Sequence, residues 1–119
     1  MPPYTLPEIT PQTLAEWQHD KPHLVLLDVR EESEAAFAPF PDPRVLVVPL
    51  SRLARLQEKA LPAQVSPDAE IVVLCHVGGR SSQVVYWLNY HLNFPNVYNL
   101  NGGIDAYADQ IDPQIPRYA

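Results

Sequence analysis

The stretch IVVLCHVGGRSSQVVY, residues 71–86, decides the fold of this chain. Its apolar run at 71–74 is typical of a strand that is buried on both faces. A short turn with two glycines follows, and Ser81 or Ser82 can cap a helix that runs to about Leu92. The sequence therefore predicts a strand, a turn and a helix, with the only cysteine of the chain, Cys75, at the start of the turn.

This turn is suited to an anionic sulfur. A thiol at the junction of a strand and a helix faces backbone N–H groups and the positive end of the helix dipole, and both favour an anion. Gly78 and Gly79 allow the backbone to curl with positive φ and to approach the sulfur closely. A single cysteine excludes an internal disulfide and a Cys-rich zinc site, so an outside thiol has to complete any sulfur chemistry.

Length and charge narrow the classes of function. The 119 residues fit one domain, 1–119, and the net charge of −6 without a Lys/Arg cluster argues against nucleic acid and anionic membranes as partners. No apolar stretch is long enough to span a bilayer, and residues 1–5 lack the pattern of a signal peptide. We therefore expect a cytoplasmic protein. The four histidines show no metal-ligand spacing, so no metal or organic cofactor is implied.

Strand and helix patterns alternate along the chain. Apolar runs predict further strands at 23–29, 45–49 and 96–100, and helices are predicted after the cap Thr10, at 31–37, after the cap Ser51 as far as about Leu61, and at 104–110. This alternation predicts a parallel sheet covered on both faces, in which ligands bind at the carboxyl ends of the strands. Asp28, Arg30, Cys75 and Gly102 all fall at those ends.

Five segments occur in an order that is characteristic of one family: DVRE at 28–31, VPL at 48–50, IVVLC at 71–75, GGRS at 78–81 and VYNLNGGI at 97–104. With them the chain resembles a single-domain rhodanese, a thiosulfate-type sulfurtransferase, over roughly residues 6–110. The tail at 111–119 contains DPQIPRY, which is similar to the tail of small bacterial rhodaneses. The resemblance implies an α/β rhodanese-like fold, a mainly parallel five-stranded sheet with helices on both faces.

The resemblance also implies the chemistry. Cys75 is the expected nucleophile, which takes sulfane sulfur from thiosulfate or a similar donor and passes it, as a persulfide, to cyanide or a thiol acceptor. Asp28 and Arg30 are expected to support the site through an ion pair or N-cap contacts. Arg80 has two open orientations, toward the sulfur or toward Asp28. The expected substrate-binding loop consists of His76, Val77, Gly78, Gly79, Arg80 and Ser81.

Three further interpretations concern side chains around this loop. His76 is interpreted as a loop residue that faces water, in preference to one that tunes Cys75. Residues 31–34 are interpreted as a solvated acidic helix start, to which we assign no chemistry. The segment APFPDPR at 38–44 lacks the histidine and glycine that rhodaneses carry near the rim of the active site, which leaves substrate preference open.

Two other functions stay open. The domain could be a sulfur carrier or protein-docking module without efficient turnover, with an acceptor protein as its partner. Alternatively, it could be a phosphatase or an arsenate reductase, since members of both classes share this fold. Their loops have five residues between Cys and Arg, whereas only four separate Cys75 from Arg80 here. A shorter loop makes a tighter cavity that suits a single sulfur atom, so this second alternative ranks last.

Overall fold

Five short strands form one parallel sheet in the computed structural model, which describes residues 4–119. The first three residues, part of the segment that lacks a signal-peptide pattern, lie outside the described residues. The strand order is β1-β5-β4-β2-β3, and every neighbouring pair is parallel. The predicted α/β class is confirmed, and the sheet is parallel throughout. The strands are β1 (Glu8–Ile9), β2 (Val25–Asp28), β3 (Val45–Val47), β4 (Ile71–Leu74) and β5 (Val97–Leu100).

Four of the five strands lie where apolar runs predict them, with somewhat shorter bounds. The fifth, β1, has only two residues and pairs with the edge of β5, with Glu8 opposite Asn99. Two residues cannot show a period, so the pattern of apolar residues gives no sign of this strand. Strand β4 lies in the centre of the sheet. Cys75 follows it directly and therefore lies at the carboxyl ends of the strands, in the middle of the sheet.

Residues 4–119 form five α-helices, of which the first four connect the strands and the last follows β5: α1 (Pro11–Asp20), α2 (Glu32–Phe37), α3 (Leu50–Leu56), α4 (Gly79–Tyr86) and α5 (Gly103–Gln110). A 3-10 turn at Gln57–Ala60 extends α3, and a π-helical turn at Trp87–His91 extends α4. The Thr10 side chain caps α1 by accepting from Thr13 N, as the sequence predicts.

Two predicted caps are wrong. Helix α3 begins after Pro49, and the Ser51 hydroxyl instead donates to the Glu31 carboxylate at 2.7 Å. Helix α4 begins after Gly78, not at Ser81 or Ser82, because the positive φ of Gly78 (106°) turns the chain directly into the helix.

The helices cover both faces of the sheet, as predicted. On one face, α3 and α4 pack Leu53 and Val84 against alternate residues of the central strands. On the other face, α1 and α5 pack Leu14 and Ile104 against the remaining strand residues. Because both faces are covered, every residue of β2 and β4 is buried, and all of these residues except Asp28 at the end of β2 are apolar. Among residues 4–119, no helix has the length and apolarity that crossing a bilayer requires.

The atypical segment 38–44 leads away from the site. The Arg44 guanidinium binds the Asp42 carboxylate at 2.7 Å and the carbonyl oxygens of Gln18 and Lys21 near the end of α1. Helix α1 ends just before β2 begins, so Arg44 lies at the amino ends of the strands, across the sheet from Cys75. The altered residues at 42–44 therefore lie at the amino ends of the strands and are not part of a rim around the sulfur.

Candidate active site

Cys75 lies at the floor of the loop that joins β4 to α4. Its Sγ accepts hydrogen bonds from the N–H groups of Gly78 at 3.1 Å and Ser81 at 3.4 Å, and the Ser81 Oγ lies 3.3 Å away. The cysteine is buried, with only 1% of its surface exposed. Three polar groups from one turn thus converge on Sγ, and each of them can donate to an anionic sulfur.

The expected loop residues have different roles in this geometry. Gly78 has a φ of 106°, which directs its N–H toward the sulfur. Gly79 is the first residue of α4, and a Cβ on it would meet no atom within 4 Å, so the loop does not require this glycine. The side chain of Val77 is 60% exposed and lies at the protein surface.

A second turn, which begins α5, holds the backbone of the cysteine loop. Ile104 N donates to the Cys75 carbonyl at 2.8 Å, and Asp105 N donates to the His76 carbonyl at 3.0 Å. A Cβ on Gly103 would lie 2.4 Å from the His76 carbonyl oxygen, closer than any side chain tolerates. Gly103 therefore allows the two turns to approach each other, and this contact fixes the position of Cys75.

Ser81 belongs to a chain of polar side chains that sequence reasoning missed and that leads from the buried Ser81 and Asn99 to the exposed Glu8. Its hydroxyl is 2.5 Å from Asn99 Oδ1, and Asn99 Nδ2 donates to the Glu8 carboxylate at 3.1 Å. The hydroxyl has one proton, so it donates either to Asn99 or to an anionic Cys75, and not to both at once. Asn99 is on β5 and approaches Ser81 only in the folded chain, so no local motif marks it.

The structure places an ion pair between Asp28 and Arg30, both of which are fully buried. Arg30 Nη2 and Nε donate to the two carboxylate oxygens of Asp28 at 2.7 and 3.0 Å. Burial alone would lower the pKa of the Arg30 guanidinium, but its hydrogen bonds to Asp28 and Tyr118 raise it. Arg30 also donates to the carbonyl oxygens of Glu34 and Ala38, so it fixes the carboxyl end of α2.

Helix α2 in turn places Glu34 against the cysteine loop. The Arg80 guanidinium donates to both carboxylate oxygens of Glu34, at 2.7 and 2.8 Å. These hydrogen bonds lower the pKa of Glu34 to about 2, and the same pairing raises the pKa of Arg80. Arg80 therefore pairs with Glu34 and not with Asp28. The interpretation of Glu34 as a solvated acid was wrong, because only the folded chain brings α2 beside the loop.

His76 does not simply face water. Its ring stacks on Tyr118, with ring centroids 4.0 Å apart and planes 13° from parallel. The Tyr118 hydroxyl accepts from Arg30 Nη1 at 3.1 Å and is 3.3 Å from the Glu34 carboxylate, to which it can donate. Burial raises the pKa of Tyr118, which keeps the phenol in the protonated form that makes both contacts. Across residues 4–119, no three His, Cys, Asp or Glu side chains are grouped so that they could hold a metal ion.

The fold agrees with the family to which the chain belongs. A family model for the rhodanese-like domain matches residues 10–110, and the chain is a member of that family. It is 41% identical over 93 residues to the rhodanese-like/PpiC domain-containing protein 12, chloroplastic, of Arabidopsis thaliana. It is 33% identical over 102 residues to the adenylyltransferase and sulfurtransferase UBA4 of Candida albicans. These matches cover 78% and 85% of this chain but only 30% and 23% of the two relatives.

Solved structures show the same fold. A protein from Staphylococcus saprophyticus, SSP1007, superimposes with a TM-score of 0.70 at 26% identity, covering 89% of this chain and 97% of that one. The human single-domain sulfurtransferase TSTD1 superimposes with a TM-score of 0.70 at 23% identity, covering 89% and 98%. At the lower identity the likeness concerns the fold alone.

Proposed function

We propose that this protein is a sulfurtransferase that carries sulfane sulfur as a persulfide on Cys75. The observation that carries the proposal is the convergence of two backbone N–H groups and the Ser81 hydroxyl on the sulfur of the only cysteine. These donors favour the thiolate before the reaction and the anionic terminal sulfur after it. Membership of the rhodanese-like family, and relatives named as sulfurtransferases, support sulfur transfer in general.

The reaction is a double displacement. In the first half, the Cys75 thiolate attacks the outer sulfur of thiosulfate, the sulfur–sulfur bond of the donor breaks, and sulfite leaves with the bonding electron pair. In the second half, cyanide or a thiolate attacks the terminal sulfur of the persulfide. The bond to Sγ then breaks, and its electron pair returns to Cys75 as thiolate. The proton of the resting thiol passes to solvent before the first attack.

Arg80 supports an anionic site without acting as a free charge. Its guanidinium stays paired with Glu34, so the loop gains a fixed geometry and little net positive charge. Only four residues separate Cys75 from Arg80, one fewer than in the loops of phosphatases with this fold, and we therefore expect no hydrolysis of aryl phosphates that depends on Cys75.

Intact-protein mass spectrometry after incubation with thiosulfate tests the proposal. The wild-type protein should gain the mass of one sulfur atom, and subsequent addition of cyanide should remove it and release thiocyanate. The Cys75→Ser variant should show neither change. The absence of both the adduct and thiocyanate from folded wild-type protein would reject the proposal.

A second candidate is a carrier that delivers the same persulfide to an acceptor protein. Two exposed apolar side chains favour it, because Val77 on the loop and Phe37 at the end of α2 are 60% and 59% exposed. Phe37 also contacts the ring of Tyr118, so it lies beside the site. The relatives from Arabidopsis thaliana and Candida albicans are longer proteins, in which the matched part is a minority of the chain. A carrier would form the persulfide in one turnover yet release thiocyanate only slowly, and stopped-flow measurement of the two half-reactions separates the candidates.

A further inference from the structure

A chain of side-chain contacts connects the two ends of the cysteine loop. It begins at His76, next to the nucleophile, whose ring stacks on Tyr118. The Tyr118 hydroxyl contacts Glu34, and Glu34 binds Arg80 at the far end of the same loop. Tyr118 and Glu34 thus bridge the two ends of the loop, whose cysteine is 1% exposed. The two halves of this bridge differ, because Glu34 belongs to a helix whereas Tyr118 belongs to an irregular segment.

The segment that carries Tyr118 is anchored independently of its ring. Ile115 is buried in the core beside α5, and the Arg117 guanidinium donates to the Asp105 carboxylate at 2.8 Å. These two anchors hold the backbone against the domain when the ring is elsewhere. The ring itself is only partly buried: it stacks on His76, meets the ring of Phe37 edge to face, and makes two hydrogen bonds. Rotation of this single side chain can therefore break the bridge between the two ends of the loop without unfolding a helix or strand.

We propose that Tyr118 is a specificity-determining residue that forms the outer wall of the Cys75 site and limits access according to the size of the reactant. Small inorganic donors and acceptors need only a slight displacement of the ring. Bulky thiols have to drive the ring off His76 and break its hydrogen bonds to Arg30 and Glu34. This inference rests on the proposed function only in taking Cys75 as the reacting group.

Alkylation of the only cysteine tests the wall without sulfur transfer. Because the chain has one thiol, every adduct reports on Cys75. The full chain, as wild type and as Tyr118→Ala and Tyr118→Phe, is treated with iodoacetamide as a small reagent and with N-(1-pyrenyl)maleimide as a bulky one, and the rates are measured by mass spectrometry. Tyr90→Ala is the matched control, because Tyr90 is an exposed tyrosine in the π-helical turn that ends α4, away from the loop.

In Tyr118→Ala, the rate with the bulky maleimide should rise by about tenfold and the rate with iodoacetamide by about threefold or less, as expected when a closed state loses contacts to charged groups. Tyr118→Phe keeps the stack and loses the hydrogen bonds, so its rates should lie between those of wild type and Tyr118→Ala. Tyr90→Ala should react like wild type with both reagents.

Equal rates in wild type and Tyr118→Ala, or an equal increase with both reagents, would overturn the proposal. Circular dichroism establishes that each variant is folded. If Tyr118→Ala does not fold, Tyr118→Phe decides alone, and bulky alkylation at the wild-type rate rejects the wall. Failure of the proposed function is a separate outcome: wild-type protein then forms no persulfide with thiosulfate, whatever the alkylation rates are.

Discussion

Glu34 binds Arg80 through two parallel hydrogen bonds of 2.7 and 2.8 Å, which connect helix α2 to the loop that holds Cys75. The connection continues inward, because Arg30 fixes the end of α2 and is itself held by the buried Asp28. The DVRE segment at 28–31 and the GGRS segment at 78–81 are far apart in sequence, yet they form one structural unit through Glu34. The geometry of the sulfur site is therefore determined by residues on three elements.

The Glu34–Arg80 pair should make stability depend on pH in the acid range. The pKa of Glu34 falls from 4.5 to about 2 in the folded chain, so the pair stabilises the protein above pH 4.5 and this contribution is lost as the pH falls toward 2. Because both side chains are partly exposed, we expect the contribution to be only about 1 kcal/mol. Urea unfolding of wild type and Glu34→Gln between pH 2 and 6 measures it.

The variant should lose most of this dependence, so the two free energies of unfolding should converge as the pH approaches 2. Glu58→Gln, at an exposed position on the 3-10 turn, controls for the loss of one carboxylate. A difference between wild type and Glu34→Gln that stays constant over the whole range would contradict the prediction.

The buried Asp28–Arg30 pair should be far more sensitive than pairs at the surface. Arg30→Ala leaves the Asp28 carboxylate buried without its partner, and such changes cost about 3–5 kcal/mol. Arg52→Ala breaks an ion pair with Glu32 whose side chains are 39% and 67% exposed, and should cost less than about 1 kcal/mol. Denaturant unfolding of both variants tests this contrast. Equal losses in the free energy of unfolding would show that burial of the ion pair does not determine the cost of breaking it.

Gly79, within the cysteine loop, and Gly103, in the turn that contacts this loop, should respond differently to substitution by alanine. In Gly103→Ala, the new Cβ would lie 2.4 Å from the His76 carbonyl oxygen at a φ of 64°, so the backbone of Cys75 and His76 has to move. We expect the rate of persulfide formation to fall by at least about tenfold, because a displacement of about 1 Å at a reacting group has large effects. Gly79→Ala meets no atom within 4 Å and should keep the wild-type rate. Similar rates in both variants would disprove the role of the Gly103 contact.

Features that depend on residues close together in sequence could be predicted, whereas features that depend on contacts between distant residues could not. Local patterns predicted the strand at 71–74 and the cap at Thr10, because apolar runs and capping side chains act within a few residues. The same patterns missed β1, which exists only through pairing with β5. Glu34 and Tyr118 were missed for a similar reason: their partners are distant in sequence, and no local motif distinguishes them from surface residues. The resemblance to rhodaneses located the loop but not the two side chains, Glu34 and Tyr118, that connect its ends.

Ser81 and Ser82 provide a last matched pair, because they are adjacent on α4 and only one faces the sulfur. The Ser81 hydroxyl lies 3.3 Å from Sγ, whereas the Ser82 hydroxyl donates to the Gly79 carbonyl at 2.7 Å and is exposed. Ser81→Ala removes one donor to the anionic sulfur, so persulfide formation from thiosulfate should slow by about tenfold. Ser82→Ala should keep the wild-type rate.

Single-turnover mass spectrometry at saturating thiosulfate measures both serine variants under conditions in which each is folded. Ser81→Ala also leaves Asn99 Oδ1 buried without its donor, which should lower the free energy of unfolding by about 1–3 kcal/mol. The rate and the stability therefore report on two different contacts of one hydroxyl. A loss of stability with an unchanged rate would assign Ser81 to its contact with Asn99 alone, and the two N–H groups of the loop would then be the donors that hold the sulfur anion.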